Sequence, residues 1–223
     1  MTIIKVDRRE LLRFMNSGAP EANGHHTAMI GFLGEPLAVG LILHYLEGKG
    51  KKPKLISLKV TQGTRKGSRL DAWISDEKDK LYQTEIKMWG GNAIGGLYIK
   101  EEAETNWLAA KSESQWHKWL WDSNKGTFRD DNVRKVLTPM RKPKEYDAWD
   151  VEPLLCLWWM VQPSAEDQAW FTLDLPENQH PPFKKVHVFS LTRYLMSLEE
   201  NVLELELPLL GTRLEWLKKV FPA

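Results

Sequence analysis

The 223-residue sequence lacks the features that define several classes of protein. It contains one cysteine, Cys156, which excludes an internal disulfide framework and any iron–sulfur or zinc site that needs four cysteines of one chain. No charged-then-apolar leader opens it, and its apolar runs, such as residues 154–161, are far too short to span a bilayer. These absences predict a soluble protein of the cytoplasm that neither enters a membrane nor carries an iron–sulfur cluster.

The sequence also has almost no excess of charge of either sign. Its 31 Lys and Arg residues against 30 Asp and Glu residues give a formal net charge of +1. This balance neither demands nor forbids a nucleic-acid partner, because the local clustering of basic residues decides that interaction. A hydrophobic content of 42% suffices for one sizeable core, so we expect a single domain over residues 1–223.

What the sequence does contain is a pair of strand-like runs that carry acidic and basic side chains. Residues 69–74 read Arg-Leu-Asp-Ala-Trp-Ile, and residues 81–89 read Leu-Tyr-Gln-Thr-Glu-Ile-Lys-Met-Trp. Apolar and polar residues alternate with a period of two, which is typical of strands and places Glu85 and Lys87 on one face. The polar segment between the runs is long enough to reverse the chain, so a hairpin could bring Asp71 beside Glu85.

Other elements follow from periodicity and breakers along the chain. We expect a short helix over residues 7–15 capped by Asp7, and a buried helix over residues 27–47 that Pro36 starts or kinks. Further helices are expected at residues 101–121, 191–200 and 212–220, and further strands at 55–60, 154–161, 171–175 and 186–189. Residues 90–96 are interpreted as a mobile loop, and residues 125–150, which have no clean period, as a surface excursion.

The order of these motifs resembles the PD-(D/E)XK nuclease superfamily. The resemblance rests on Gly34 and Glu35 at the start of an apolar helix, on Ser68 to Asp71 in one strand, and on Glu85-Ile-Lys in the next. It covers about residues 31–121, with the strand at 154–161 completing the core by topology only. It implies an α/β fold with a restriction-endonuclease-like core over about residues 27–190. That core is a central mixed sheet flanked by helices in αβββαβ order, between an N-terminal helix at about 7–16 and a C-terminal helical and strand extension at about 191–223.

The resemblance also implies a metal-dependent nuclease that acts on DNA, an endonuclease of restriction, defence or DNA-processing type. Phosphodiester hydrolysis needs a hard cation, an activated water and positive charge beside the developing phosphorane. Asp71 and Glu85 can hold Mg²⁺, or Mn²⁺ as a substitute, through oxygen ligands. The resemblance adds the backbone carbonyl of Ile86 as a ligand, and Glu35 as the helix-borne glutamate that joins the metal site in many members. Lys87 would orient or help to deprotonate the attacking water.

Each of these residues also has an ordinary structural interpretation. Glu85 and Lys87 could be a solvated cross-pair on a strand face, and Glu35 could be a charge favoured by the dipole of a helix start. Asp71 could pair with Arg69, and the similar Asp76-x-Lys triplet is expected to lie in the turn between the strands. Adjacent histidines at positions 25 and 26 are interpreted as loop residues, since no Cys or His partner has ligand spacing. A nuclease fold that binds nucleic acid or protein without turnover is the alternative function.

Several basic residues could contact the phosphates of duplex DNA, although a solvated basic surface is an equal alternative. They are Arg65, Lys66, Arg69, Arg134 and Lys135. Cutting both strands of a duplex usually needs two active sites, which predicts a homodimer or a partner enzyme. The expected dimer contact is the C-terminal segment, residues 203–210 and 214–221.

Overall fold

A computed structural model shows the fold. The structure describes residues 3–17, 26–61, 69–87, 118, 120–158, 167, 169–207 and 210–220. In chain order these residues form β1 (Ile3–Asp7), α1 (Arg8–Ser17), α2 (His26–Gly48), β2 (Lys54–Thr61), β3 (Arg69–Ser75), β4 (Lys80–Lys87), β5 (Trp121–Asp122), β6 (Thr127–Phe128), α3 (Asp131–Arg134), 3-10 turns at Lys135–Leu137 and Lys144–Tyr146, β7 (Asp150–Leu157), β8 (Trp170–Asp174), β9 (Lys185–Ser190), α4 (Leu191–Ser197), β10 (Val202–Glu206) and α5 (Leu210–Val220).

The central element is a six-stranded mixed sheet in the order β2-β3-β4-β7-β9-β8. β2, β3 and β4 are antiparallel neighbours, β4, β7 and β9 run parallel, and β8 closes the sheet as an antiparallel edge. Leu154 and Leu155 point to opposite faces of β7 and both are fully buried, as expected of a strand covered on two sides. The predicted α/β class, with a mixed sheet and flanking helices, is confirmed.

Helix α2 covers one face of this sheet. It spans all of the predicted residues, 27–47, and one further residue at each end. Its apolar side chains pack against those residues of β3, β4 and β7 that point to the same face of the sheet, among them Ile86. Glu35 and Pro36 lie well inside the helix, so the expectation that Glu35 opens it was wrong, and Pro36 does not start it. Pro36 cannot donate to the carbonyl of Phe32, four residues earlier, and Arg213 Nη1 of α5 donates to that oxygen instead. The guanidinium also lies 5.4 Å from the Phe32 ring centroid, so α5 docks on the turn that Pro36 interrupts.

A strand near the start of the described chain pairs with a strand near its end, which the sequence did not predict. β1 pairs with β10 in an antiparallel two-stranded sheet, and Asp7 caps α1 as expected by accepting from the amides of Arg9 and Glu10 at 2.9 and 3.0 Å. The end of β10 lies so close to α2 that a Cβ atom on Gly40 would be 2.9 Å from the carbonyl oxygen of Glu206.

This packing changes the expectation for a dimer surface in the C-terminal segment. Four leucines of residues 203–210 are buried in the chain's own core: Leu203, Leu205, Leu207 and Leu210. The first half of the predicted contact was therefore wrong. On α5, by contrast, Leu214, Trp216 and Val220 are exposed. None of the helices in the described parts of the chain is long and apolar enough to cross a membrane.

Residues 125–150 are not the surface excursion that the sequence suggested. They include β6, α3 and the two 3-10 turns, and their apolar side chains form a second core with the opposite set of sheet residues, including Leu155. Val133 and Val136 are fully buried. Asp130 caps α3 through its Oδ1, which accepts from the amide of Asn132 at 2.7 Å. Such short turns contribute one or two apolar residues each, so no helical or strand period marks them in the sequence.

Several stretches that carried predictions lie outside the described residues. They hold Arg65, Lys66 and Ser68, the loop at 90–96, nearly all of the helix expected at 101–121, and the end of the strand expected at 154–161. The end of that helix was misplaced, because Trp121 begins strand β5.

Candidate active site

Strands β3 and β4 separate at the end where Asp71 and Glu85 lie. Their ladder pairs Ala72 with Thr84 and stops there, although both strands continue. Beyond that point Asp71 Oδ2 accepts a hydrogen bond from the backbone amide of Ile86 at 2.7 Å. The Asp71 carboxylate thus accepts a hydrogen bond that the backbone of β3 would accept if the ladder continued. It lies directly beside the residue that follows Glu85. The predicted hairpin, with Asp71 next to Glu85, is confirmed.

The orientation of the Ile86 carbonyl follows from the ladder on the other side of β4. Trp158 donates its amide to the carbonyl of Lys87 at 3.2 Å, so the backbone of Lys87 faces β7. The neighbouring residue of a strand faces the other way, with its N–H and its carbonyl on the same side. The Ile86 carbonyl therefore points toward the Asp71 side, past the end of the β3–β4 ladder.

Glu85 projects from the opposite face to Ile86 and is fully buried. Its Oε1 lies 2.5 Å from Lys87 Nζ and 2.9 Å from Lys135 Nζ. Both contacts are within ion-pair distance, and neither oxygen of Glu85 has another partner among the described residues. Two ammonium groups thus neutralise a desolvated carboxylate that is otherwise unsatisfied.

Both carboxyl groups are electrostatically perturbed. Burial raises the pKa of Glu85 above its usual range and the charge of Asp71 raises it further, against the opposing effect of Lys87 and Lys135. Burial likewise raises the pKa of Asp71, although the Ile86 amide and the charges of Lys135 and Lys87 oppose the rise. Raised pKa values on two adjacent carboxyls mean that additional positive charge would stabilise the site, a property common at functional sites.

Sequence reasoning missed the place of Lys135. It was predicted only as a possible phosphate contact, yet it belongs to the cluster around Glu85. The buried side chain of Gln83 holds its segment: Nε2 donates to the carbonyls of Val136 and Thr138 at 2.5 and 3.0 Å, and Oε1 accepts from the amide of Met140 at 3.2 Å. The available signal was Gln83 itself, a polar residue on the strand face shared with Glu85.

The other predicted residues lie elsewhere. Glu35 is exposed on α2, and no ion pair or hydrogen bond among the described residues links it to the carboxylates. Arg69 is exposed at the start of β3. Arg134 donates to the carbonyls of Phe128 and Arg129 at 2.8 and 3.0 Å, so its guanidinium stabilises its own turn.

The second acidic triplet, beginning at Asp76, has the structural role that was predicted. Asp76 Oδ1 accepts from the amides of Lys78, Asp79 and Lys80 at 3.0, 3.2 and 3.0 Å, while Oδ2 pairs with Lys51 Nζ at 2.7 Å. These contacts use both oxygens to fix the turn between β3 and β4.

The cluster at Asp71 and Glu85 fits a cation that keeps most of its water. Within the described parts of the chain, no group of three or more His, Cys, Asp or Glu residues could enclose a metal ion. Two carboxylates and the Ile86 carbonyl nevertheless suffice for Mg²⁺, which typically binds one or two carboxylates and retains several waters. Glu85 Oε2, which has no partner among the described residues, is of the ligand type that this ion prefers.

A second charged cluster lies at the opposite end of the parallel strands. Glu152 Oε2 accepts from His187 Nε2 at 2.6 Å, and its Oε1 lies 3.3 Å from Lys80 Nζ and 3.2 Å from Lys185 Nζ. Trp170 Nε1 donates to the other imidazole nitrogen at 3.2 Å, so every polar atom of the imidazole and carboxylate is paired. The completeness of these pairings indicates a structural cluster.

Comparison with known proteins leaves the family open: no family model, no curated protein and no solved structure matches this chain.

Proposed function

We propose that this chain is a divalent-cation-dependent nuclease that hydrolyses phosphodiester bonds of DNA, on a restriction-endonuclease-like core. One observation carries the proposal. Asp71 and Glu85 lie where β3 and β4 separate, the Ile86 amide between those strands donates to Asp71, and the ammonium groups of Lys87 and Lys135 contact Glu85. Acidic oxygen ligands next to positive charge are what phosphodiester hydrolysis needs, and the PD-(D/E)XK-like order of motifs agrees with it.

Each residue has a distinct task in this proposal. Asp71, Glu85 and the Ile86 carbonyl would hold a Mg²⁺ ion, which when bound would supply Lewis-acid polarisation of a phosphoryl oxygen and a bound water. Asp71 is oriented by the Ile86 amide through Oδ2, so its other oxygen keeps a fixed direction. Lys87 shares the strand face of Glu85, where its ammonium can orient the attacking water and stabilise negative charge on the phosphorane.

The proposal is tested with purified protein and four substrates: circular duplex DNA, linear duplex DNA, single-stranded DNA and RNA, each with and without Mg²⁺. We expect Mg²⁺-dependent cleavage of duplex DNA. Nicked or linearised circles would identify an endonuclease, because circles have no ends. Binding of DNA in a gel-shift assay with no cleavage of any substrate would instead support the binding-module alternative.

Two variants connect the cleavage to the site. Asp71→Asn retains an oxygen that can accept from the Ile86 amide but loses the charge, and Lys87→Met retains most of the side-chain volume. We expect each to lower the cleavage rate by about 100-fold or more. The matched controls are Glu204→Gln and Lys5→Met, which remove the same charges from an exposed surface pair and should leave the rate unchanged. Equal rates in the site variants and the controls would reject the assignment.

A further inference from the structure

Two lysines contact the same buried oxygen of Glu85, and they reach it by different routes. Lys87 follows on the same strand and the same face, so its proximity is a consequence of the strand itself. Lys135 belongs to a turn about fifty residues later, yet its Nζ lies 2.9 Å from Glu85 Oε1. A long flexible side chain held against one oxygen from a separate segment needs a backbone that is fixed in place.

Gln83 fixes that backbone. Its amide nitrogen donates to two carbonyls, those of Val136 and Thr138, and its oxygen accepts from the amide of Met140. The side chain is fully buried, so removing it would leave several buried backbone groups unpaired. Gln83 stands two residues before Glu85 on the same strand face, so one strand carries both the carboxylate and the support for its second lysine.

The ammonium group of Lys135 lies beside the carboxylates that would hold a cation, in direct contact with Glu85. A divalent cation bound by these two carboxylates would come close to the Lys135 ammonium, and like charges at such distances repel strongly. The side chain of Lys135 is 26% exposed, against 18% for Lys87, so it has the freer path away from the site while Gln83 keeps its backbone in place.

We propose that Lys135 is a tethered counter-cation of the site, held on Glu85 by Gln83, which a divalent cation must displace in order to bind. This inference rests on the metal site of the proposed function, but not on turnover. It assigns Gln83 as a positioning residue that acts through Lys135.

The test is direct binding of Mn²⁺ to the full-length protein, without substrate, by isothermal titration calorimetry. Lys135→Met should bind Mn²⁺ about tenfold more tightly or better, because a competing positive charge is removed. Lys135→Arg, which keeps the charge, should bind like the parent, and so should the surface control Lys5→Met. Unchanged or weaker Mn²⁺ binding by Lys135→Met would overturn the proposal, as would the absence of Mn²⁺ binding from every variant.

A double-mutant cycle tests the role of Gln83. Gln83→Met should tighten Mn²⁺ binding in the parent but should add nothing in the Lys135→Met background, because its effect passes through Lys135. Equal effects in both backgrounds would overturn the positioning role. If Gln83→Met does not fold cooperatively, Gln83→Asn keeps both polar atoms on a shorter side chain and takes its place in the cycle.

The cleavage assay separates this inference from the proposed function. The predicted order of Mn²⁺ affinities without cleavage of any nucleic acid would refute the nuclease and leave the counter-cation intact. Cleavage that depends on Asp71 and Lys87, but with Mn²⁺ affinity indifferent to Lys135→Met, would refute the counter-cation alone.

Discussion

The buried cluster at Glu152 predicts a specific dependence of stability on pH. Burial alone would raise the pKa of this carboxyl, but the hydrogen bond from His187 and the contact with Lys185 outweigh burial and lower the pKa to about 2. A folded-state pKa below the ordinary value of 4.5 means that the ionised form stabilises the fold. This contribution is complete above about pH 4.5 and is lost as the pH falls toward 2.

The magnitude follows from the size of the shift. A difference between 4.5 and about 2 corresponds to at most about 3 kcal/mol of unfolding free energy near pH 7, since each unit is worth about 1.4 kcal/mol. Integration of the same linkage leaves about 1.4 kcal/mol near pH 3. The variant Glu152→Gln lacks the titrating group, so its disadvantage relative to the parent should shrink by about 2 kcal/mol between these pH values.

Urea unfolding followed by tryptophan fluorescence, at several pH values from 7 down to 3, measures this difference. Other carboxyls titrate in both proteins and cancel from the comparison. Glu204→Gln is the matched control, because its side chain is 64% exposed and its pair with Lys5 should contribute little at any pH. A free-energy difference between parent and Glu152→Gln that stays constant over this range would refute the reasoning.

Three further predictions concern packing and metal binding. Gly40→Ala should lower the unfolding free energy by about 1–3 kcal/mol, because the added Cβ meets the Glu206 carbonyl oxygen; unchanged urea midpoints would contradict this. Arg213→Met should cost about 1–2 kcal/mol by leaving the Phe32 carbonyl without its donor, whereas Arg213→Lys should recover part of the loss in the same assay. Mn²⁺ should raise the melting temperature of the parent and not of Asp71→Asn in calorimetry, and an equal rise in both would place the bound ion elsewhere.

The sequence was most informative in regular strands and helices, where a fixed period determines which side chains share a face. Alternation in β3 and β4 was enough to predict that Asp71 lies beside Glu85, because a tight antiparallel hairpin leaves few registers. The apolar run over residues 27–47 likewise predicted α2. It left open whether Pro36 starts or kinks that helix, because the substitute donor to the Phe32 carbonyl comes from Arg213, far along the chain.

The missed features depend on contacts between distant and irregular segments. Lys135 has no local pattern that distinguishes it from other lysines, and the amide of Gln83, on a distant strand, helps to determine where its turn docks. β1 and β10 are short, and their outward side chains are exposed, as at Ile3 and Val202. Five residues in each strand are too few to predict a pairing between segments at opposite ends of the sequence, so this pairing becomes evident only in the folded chain.

The most direct test of the central claim is the rate of cleavage of circular duplex DNA as a function of Mg²⁺ concentration, for the parent and for Asp71→Asn. Matching urea midpoints for the two proteins establish first that both are folded. The account predicts a saturable dependence on Mg²⁺ in the parent, abolished by a chelator, and a rate lower by about 100-fold or more in Asp71→Asn. Cleavage that persists in the chelator, or that is equal in the two proteins, would contradict it.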